Sequence, residues 1–300
     1  MRKLSIVLTL MLLLALVIAA VACDGAEVTP TVTPTPASTP TPIPTSTPTP
    51  VPTLTATPTT TPPPTASTAP LGPVIGSYNH VLLYNLSAAH HTTAINSLQE
   101  KGYTVHPLEG YEQLNEKVLA EYGTLIVRSS YLSINELPLL EDWVKAGGGA
   151  LFLVETGLRI VTTTNYILLP LCGIVVNNDN VNDLVNKFLY GRQSGICTTA
   201  VAEHPTTQNI SELAFSTLDW LPSLTITSHA AEVVVQGERN AYSIHYAQDP
   251  PLAAAAQCSA GRVVVVSGAQ PFSTDMIALS DNQLFLINII DWLAHRDSDQ

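Results

Sequence analysis

Residues 29–70 run in threonine and proline, as in Thr33-Pro34-Thr35-Pro36 and Thr47-Pro48-Thr49-Pro50, and carry no charged side chain. Such a stretch offers little large apolar surface to bury, and each proline fixes its own φ and removes a backbone N–H donor. It cannot join a packed core. The folded part must therefore lie to one side of it, and roughly 220 residues follow, enough for a single α/β core. At about 3.1 Å per residue, the stretch reaches on the order of 130 Å when extended, so it reads as a spacer. Hydroxyls beside proline are also the composition of an O-glycosylated stalk.

Ahead of the spacer, Met1-Arg2-Lys3 is followed by an apolar run over residues 4–22, interrupted by Ser5 and Thr9. This is the layout of a secretory signal. The run ends in Ala20-Val21-Ala22-Cys23. That tetrapeptide resembles the lipobox of bacterial lipoproteins, which implies a signal peptide over residues 1–22 and diacylglycerol on Cys23. The family prefers Leu where Ala20 stands. Multiple acyl chains give stable attachment, so the chain is expected to be exported and held to the outer face of the membrane or envelope through Cys23. The alternative is an uncleaved helix, since an apolar run of this length also spans a bilayer.

The expected division is therefore a signal peptide (1–22), a lipidated cysteine with a disordered stalk (23–73), an α/β domain (74–296) and a polar tail (297–300). Net charge is −12, and the charges ahead of the domain, Arg2, Lys3, Asp24 and Glu27, cancel. The acidity thus belongs to the domain. With no Lys/Arg run, it is not expected to bind nucleic acid or anionic lipid, and membrane attachment falls to the N-terminus.

Within the domain, short apolar runs at 80–84, 103–106, 124–127 and 150–154 read as strands. Helices are expected between them: 88–101, with Ala94, Ile95 and Leu98 on one face and Gly102 as its stop; one around 111–122; and one opened by the capping box of Ser133 and Glu136. The alternation predicts right-handed βαβ units and a mostly parallel sheet with helices on both faces. Residues 162–199, crowded with Asn and Asp, read as a helical excursion with loops. Strands resume at 232–236, 252–257 and 261–267. A last helix, 282–294, carries Leu284, Ile287, Asn288, Asp291 and Trp292 at helical spacing, expected to pack across the sheet.

Several runs then suggest a family. Gly102-Tyr103-Thr104-Val105, Tyr122-Gly123-Thr124-Leu125-Ile126-Val127 and Leu140-Glu141-Asp142-Trp143-Val144-Lys145-Ala146-Gly147-Gly148-Gly149-Ala150-Leu151-Phe152-Leu153-Val154-Glu155-Thr156-Gly157 resemble the class I glutamine amidotransferase-like superfamily. The chain is similar to its non-catalytic members in exported bacterial proteins, in auxiliary subunits of gliding-motility ABC transporters and in an intraflagellar transport subunit. His204-Pro205, Gly261-Arg262-Val263-Val264-Val265, Asp281-Asn282 and the run from Asn288 through Trp292 to Leu293 fit the same pattern. The resemblance implies a flavodoxin-like fold. Catalytic relatives place a nucleophilic Cys on the turn after the strand that here ends at Val154, and this chain has Glu155-Thr156-Gly157 there. Glutaminase or protease chemistry is therefore not implied.

Open α/β sheets bind ligands beyond the C-terminal ends of their strands. The rim expected here carries Asn85, Ser87, His90, His91, Arg128, Ser129, Ser130, Tyr131, Glu155 and Thr156, of which Asn85, Arg128, Ser129, Glu155 and Thr156 are the candidate ligand-binding residues. Glu155 would act as a ligand group or general base, or else hold loops together by pairing with Arg128 or Arg159. Adjacent His90 and His91 point about 100° apart on a helix and would not share an ion. Residues 177–183 have the composition of a calcium loop without its Gly and terminal Glu. Gly147-Gly148-Gly149 precedes a strand and is a turn rather than a phosphate cradle, and Ser129, Ser130 and Ser267 lack the Gly-x-Ser-x-Gly frame. No cofactor, metal or catalytic set is assigned.

Cys172 and Cys197 flank the Asn-rich excursion, and outside the cell they are expected to form a bridge; the alternative is that the cysteines are small buried apolar groups. The reading is a surface-anchored, non-enzymatic domain that binds an extracellular ligand or envelope protein. Two alternatives are a carbohydrate-active hydrolase using rim carboxylates and an accessory subunit of an envelope transport complex.

Overall fold

The computed structural model describes residues 74–108, 113–190, 193–218 and 220–296. The expected signal peptide, Cys23, the expected stalk and the expected tail at 297–300 lie outside the described residues. Among the described residues no helix is long and apolar enough to cross a membrane.

The first half alternates regularly. β1 (Ser77–Tyr84) leads through a short 3-10 turn to α1 (Thr92–Glu100), then come β2 (Thr104–Leu108), α2 (Glu116–Leu119), β3 (Tyr122–Arg128), α3 (Leu137–Lys145), β4 (Gly149–Val154) and α4 (Leu158–Cys172). Small strands follow: β5 (Ile174–Val176), β6 (Asn182–Asp183), β7 (Lys187–Tyr190), β8 (Gln193–Thr198), β9 (Leu213–Ser216) and β10 (Leu224–Ile226). The chain closes with β11 (Ala231–Gln236), β12 (Ala241–Tyr242), β13 (Pro251–Cys258), β14 (Gly261–Ser267) and α5 (Asn282–Leu293).

The main sheet has the order β11-β13-β14-β4-β3-β1-β2. Strands β2, β1, β3, β4 and β14 run parallel, and β13 is antiparallel to both its neighbours. All six residues of β4 are buried, as a strand covered on both faces requires. Successive side chains enter opposite cores. Val81 and Leu83 pack with Leu98 of α1 and with Phe285 and Ile289 of α5, while Leu82 and Tyr84 pack with Leu140 and Trp143 of α3 and Leu168 of α4. Each of these fully buried large side chains contributes roughly 2–3 kcal/mol of transfer free energy. Close approach explains the glycine that opens β4: a Cβ on Gly149 would lie 2.4 Å from the Leu293 carbonyl oxygen.

Three expectations shift in detail. The helix near 111–122 is only Glu116–Leu119 within the described residues, capped by the Asn115 side chain, which accepts from Val118 N at 3.1 Å. Helix α3 begins at Leu137 instead of directly after Ser133. Glu136 does reach back to Ser133 N (2.9 Å), but it also accepts from Leu114 N (3.2 Å) and the Tyr84 hydroxyl, and so stays in the turn. In α5 the side packed on the sheet is Phe285, Leu286, Ile289, Ile290 and Leu293, whereas Leu284, Asn288 and Asp291 are half-exposed. Of the expected face, Ile287 and Trp292 are buried and Leu284 packs against the core, while Asn288 and Asp291 mark the outer stripe, so the buried side is centred about one residue, 100° of helix, away.

Two corrections are larger. Residues 162–199 are helical only as far as Cys172, where α4 ends, and the rest is not a looped excursion but builds small antiparallel sheets, β5 with β10 and β7-β8-β9. Their partners lie up to about fifty residues away in sequence, where local periodicity carries no signal. Second, Cys172 bonds to Cys258, not Cys197, across a Cα separation of 5.5 Å. Cys172 and Cys258 share the core under α4, while Ile196 and Phe215, neighbours of Cys197 in β8 and β9, belong to the core on the opposite face of the sheet. Burial and then the nearby Glu212 carboxylate push the free Cys197 thiol up to about 11.

Candidate functional site

Because the five strands run parallel, Tyr84, Arg128, Val154 and Ser267 all end at one rim. The register confirms it: Tyr84 lies beside Val127, Arg128 beside Leu153, and Ser267 beside Val154. Strand order reverses between β1 and β3, so the chain leaves these two strands in opposite directions and opens a crevice there.

Residues at this crevice come from three turns. Asn85 follows β1 with φ 59 and donates through Nδ2 to the Tyr131 carbonyl at 3.4 Å. Arg128 closes β3; its Nε and Nη2 reach Glu155 Oε1 at 2.7 and 2.5 Å, and its guanidinium lies 5.7 Å from the centre of the Tyr131 ring. Glu155 is buried at the end of β4, and Gly157, at φ 124, turns the chain into α4. Of the two partners expected for Glu155, the structure selects Arg128.

The sequence-derived residues thus fall into two groups. Asn85, Arg128, Ser129 and Glu155 converge around Tyr131 and the β3 end. Thr156 faces the other way, into a cleft of about 590 Å³ that it shares with Leu158, Asn178, Asn180, Trp220 and Ile244. The two meet through the backbone, since Asn178 Oδ1 accepts from Gly157 N at 3.0 Å.

Beside Arg128, several buried polar atoms have no hydrogen-bond partner among the described residues: Ser129 Oγ, Ser130 Oγ and His91 Nε2. The His91 tautomer follows from its other nitrogen. Nδ1 lies 3.0 Å from the Ser87 carbonyl, which only accepts, so Nδ1 carries the proton and Nε2 presents a lone pair. Burial holds the imidazole below its ordinary value of 6.5; the bond to Ser87 opposes this, and the charges of Arg128 and His90 reinforce it. Behind the site, burial and the Glu136 carboxylate push the Tyr84 hydroxyl up to about 12, which keeps it a donor.

Chemically, the arrangement offers a guanidinium, two hydroxyls and an imidazole acceptor around a charge-neutralised carboxylate. The serine hydroxyls bond neither a histidine nor a carboxylate, so no activated nucleophile is assembled from them. Among the described residues no group of three or more His, Cys, Asp or Glu is placed to hold a metal. In the Asn-rich stretch, Asn177, Asp179 and Asn180 bond Ser223, Thr225 and Leu221. These groups join the Asn-rich stretch to the chain around β10. Trp220 and Ile244 lay in stretches whose polar, turn-rich sequence gave no periodic signal.

No family profile matches the chain, and no curated protein matches it in sequence. Among solved structures it is similar to the mmIFT52 N-terminal domain, at 16% identity over 71% of this chain and 97% of that one, with a TM-score of 0.57. Looser similarities are to Cytoplasmic Protein STM1381 from Salmonella typhimurium LT2 (15% identity, 71% and 99% covered, TM-score 0.47) and a ThuA-like protein from Parabacteroides merdae (11%, 72% and 89%, 0.43). The fold is flavodoxin-like. Its mostly parallel sheet has the strand order β2-β1-β3-β4-β14, which takes the places of 2-1-3-4-5 in that fold. At this identity the likeness is one of fold alone.

Proposed function

We propose that this chain is an exported lipoprotein, anchored through Cys23, whose flavodoxin-like domain binds an extracellular ligand or envelope protein at the C-terminal rim of its sheet without turning it over. The observation that carries the binding assignment is the group of buried polar atoms beside Arg128. Ser129 Oγ, Ser130 Oγ and His91 Nε2 each lack a hydrogen-bond partner among the described residues, and an unpaired buried group of this kind costs about 1–3 kcal/mol, which a ligand donating to or accepting from it would offset. Their place at the switch point between β1 and β3 is where this fold gathers its ligands. The buried Cys172–Cys258 bridge supports export, since such bonds persist in oxidising compartments.

The hydrolase reading is weaker because Glu155 is already engaged by Arg128 at 2.5 Å, which disfavours its service as a base. The test uses full-length protein in detergent, with wild type, Arg128→Ala and Glu155→Gln compared in thermal-shift ligand panels and hydrolase assays. Ligands that stabilise wild type should bind about tenfold or more weakly to Arg128→Ala, as for a buried polar anchor. Hydrolysis lost in Glu155→Gln would overturn the non-enzymatic assignment. In the parent cell, Cys23→Ala should remain at precursor mass; normal processing would remove the anchor.

A further inference from the structure

The cleft on the far side of Thr156 is built differently from the rim, and three features define what it accepts. The first is an exposed apolar shelf. Trp220, Leu158 and Ile244 are 66, 74 and 85% exposed, and all three line the one cleft. Apolar groups collected in this way on an otherwise acidic surface mark an interaction site. The second is rigidity. Trp220 has φ 54, an unfavourable conformation for a bulky residue, and the next residue is pinned on both sides: Leu221 N donates to Asn180 Oδ1 at 2.8 Å and Leu221 O accepts from Val181 N at 2.7 Å. The backbone that carries the exposed indole is thus anchored at the residue that follows it.

The third feature is the direction of the amides. Asn178 Oδ1 accepts from Gly157 N and Asn180 Oδ1 from Leu221 N. Backbone N–H groups only donate, so each oxygen is fixed inward and each NH2 faces the cleft or solvent as a donor pair. The carboxylate in the lining, Asp179, has a fully buried side chain and bonds Ser223 and His245 instead. A flat aromatic face flanked by neutral donors fits a ring with an apolar C–H face and hydroxyl acceptors on its edge. The net charge of −12 disfavours an anionic version of such a ligand.

We infer that this shelf binds a neutral carbohydrate chain, with one sugar ring on Trp220 and its hydroxyls accepting from Asn178 and Asn180. The shelf is a second surface, separate from the rim at Arg128, and its lining includes none of Arg128, Ser129 and Glu155. It also provides its own readout: of the three tryptophans, Trp143 and Trp292 are buried, so a ligand at the shelf changes the emission of Trp220.

The experiment titrates full-length protein in detergent with chitohexaose, cellohexaose and mannohexaose, following tryptophan fluorescence and calorimetry. Hexagalacturonate and a (Thr-Pro)6 peptide are the comparison probes. At least one neutral oligosaccharide is expected to bind and perturb the emission. Trp220→Ala should weaken that binding about tenfold or more, and Trp220→Phe, which keeps an aromatic face, should retain most of it. Circular dichroism confirms that both variants fold. No binding of any neutral oligosaccharide, equal binding by Trp220→Ala, or a response to the peptide or the anionic chain alone would each overturn the assignment. Arg128→Ala separates the two readings. Rim ligands that depend on Arg128 while the oligosaccharides fail would reject the shelf alone; failure of both would reject both surfaces.

Discussion

The parallel half of the sheet and the segment from β5 to β10 are held together by different forces. In β3, β4 and β14 nearly every side chain is apolar and buried, and the backbone is satisfied by the ladder. Between β5 and β10 the strands are two to six residues long, and polar side chains do much of the joining. Asn165 bonds both the N–H and the carbonyl of Val176, Asp183 accepts from Val185 N and Asn186 N, and Asp179 accepts from Ser223 through both its N–H and its hydroxyl. The first kind of structure tolerates apolar exchange of similar volume; the second depends on particular atoms. It is the second kind that places Asn178, Asn180 and Trp220 beside the rim.

The largest expected effect lies at the seam between the two regions. Cys172 ends α4 just before β5, and Cys258 ends β13, so their bond closes a separation of 86 residues. Replacing both with alanine should lower stability by roughly 4–5 kcal/mol through the loop-closure term, read as a lower urea midpoint. Cys197→Ala should leave the midpoint nearly unchanged. Peptide mapping without reductant checks the pairing, and a Cys172–Cys197 peptide would contradict the structure.

The next effect tests how the segment is held. Asp179→Asn keeps the size of a fully buried side chain but turns an amide NH2 toward Ser223 or His245 in place of an acceptor. A loss of about 2 kcal/mol is expected, as for a buried charge-assisted hydrogen bond. Burial opposes ionisation of Asp179, but the bonds from Ser223, Ser243 and His245 outweigh it and hold the carboxyl below its ordinary 3.8. Its contribution is therefore present above pH 3.8 and is lost as the pH falls through the lower folded value. A variant as stable as wild type at neutral pH would show that the short strands hold without these bonds.

The same contrast explains what was legible in the sequence. Gly149, Val154 and the apolar runs between them mark β4 because a strand buried on both faces must be continuous in apolar residues. The rim followed from that, since parallel strands bring Asn85, Arg128 and Glu155 to one end. The carboxylate partner stayed open between Arg128 and Arg159 because only the register of β3 and β4 decides it. In the segment from β5 to β10 the reading failed for a physical reason. Asn177 and Asp179 look like loop residues or calcium ligands by composition, yet their partners are Ser223 and Thr225, more than forty positions away. The bridge to Cys258 was hidden in the same way, because β13 enters the sheet only after the segment has ended.

The smallest expected effect sharpens the comparison through pH. In the regular half, His91 is buried, donates from Nδ1 to Ser87 and has an Nε2 without a hydrogen-bond partner among the described residues, whereas Asp179 in the irregular segment bonds Ser223 and His245. Because the folded value of His91 lies below the ordinary 6.5, the unfolded chain takes up its proton first as the medium is acidified. The His91 contribution is then fully present above pH 6.5 and declines as pH falls from 6.5 through the folded value, well before the Asp179 contribution begins to go. His91→Asn retains a donor for the Ser87 carbonyl and removes the titration. Urea midpoints measured from pH 7.5 to 5 should fall for wild type and change less for His91→Asn. Parallel profiles for the two would show that His91 does not set the acid sensitivity of the rim. A bound rim ligand that donates to Nε2 favours neutral His91 and should bind more weakly as the pH drops through the same interval, and this dependence should vanish in His91→Asn.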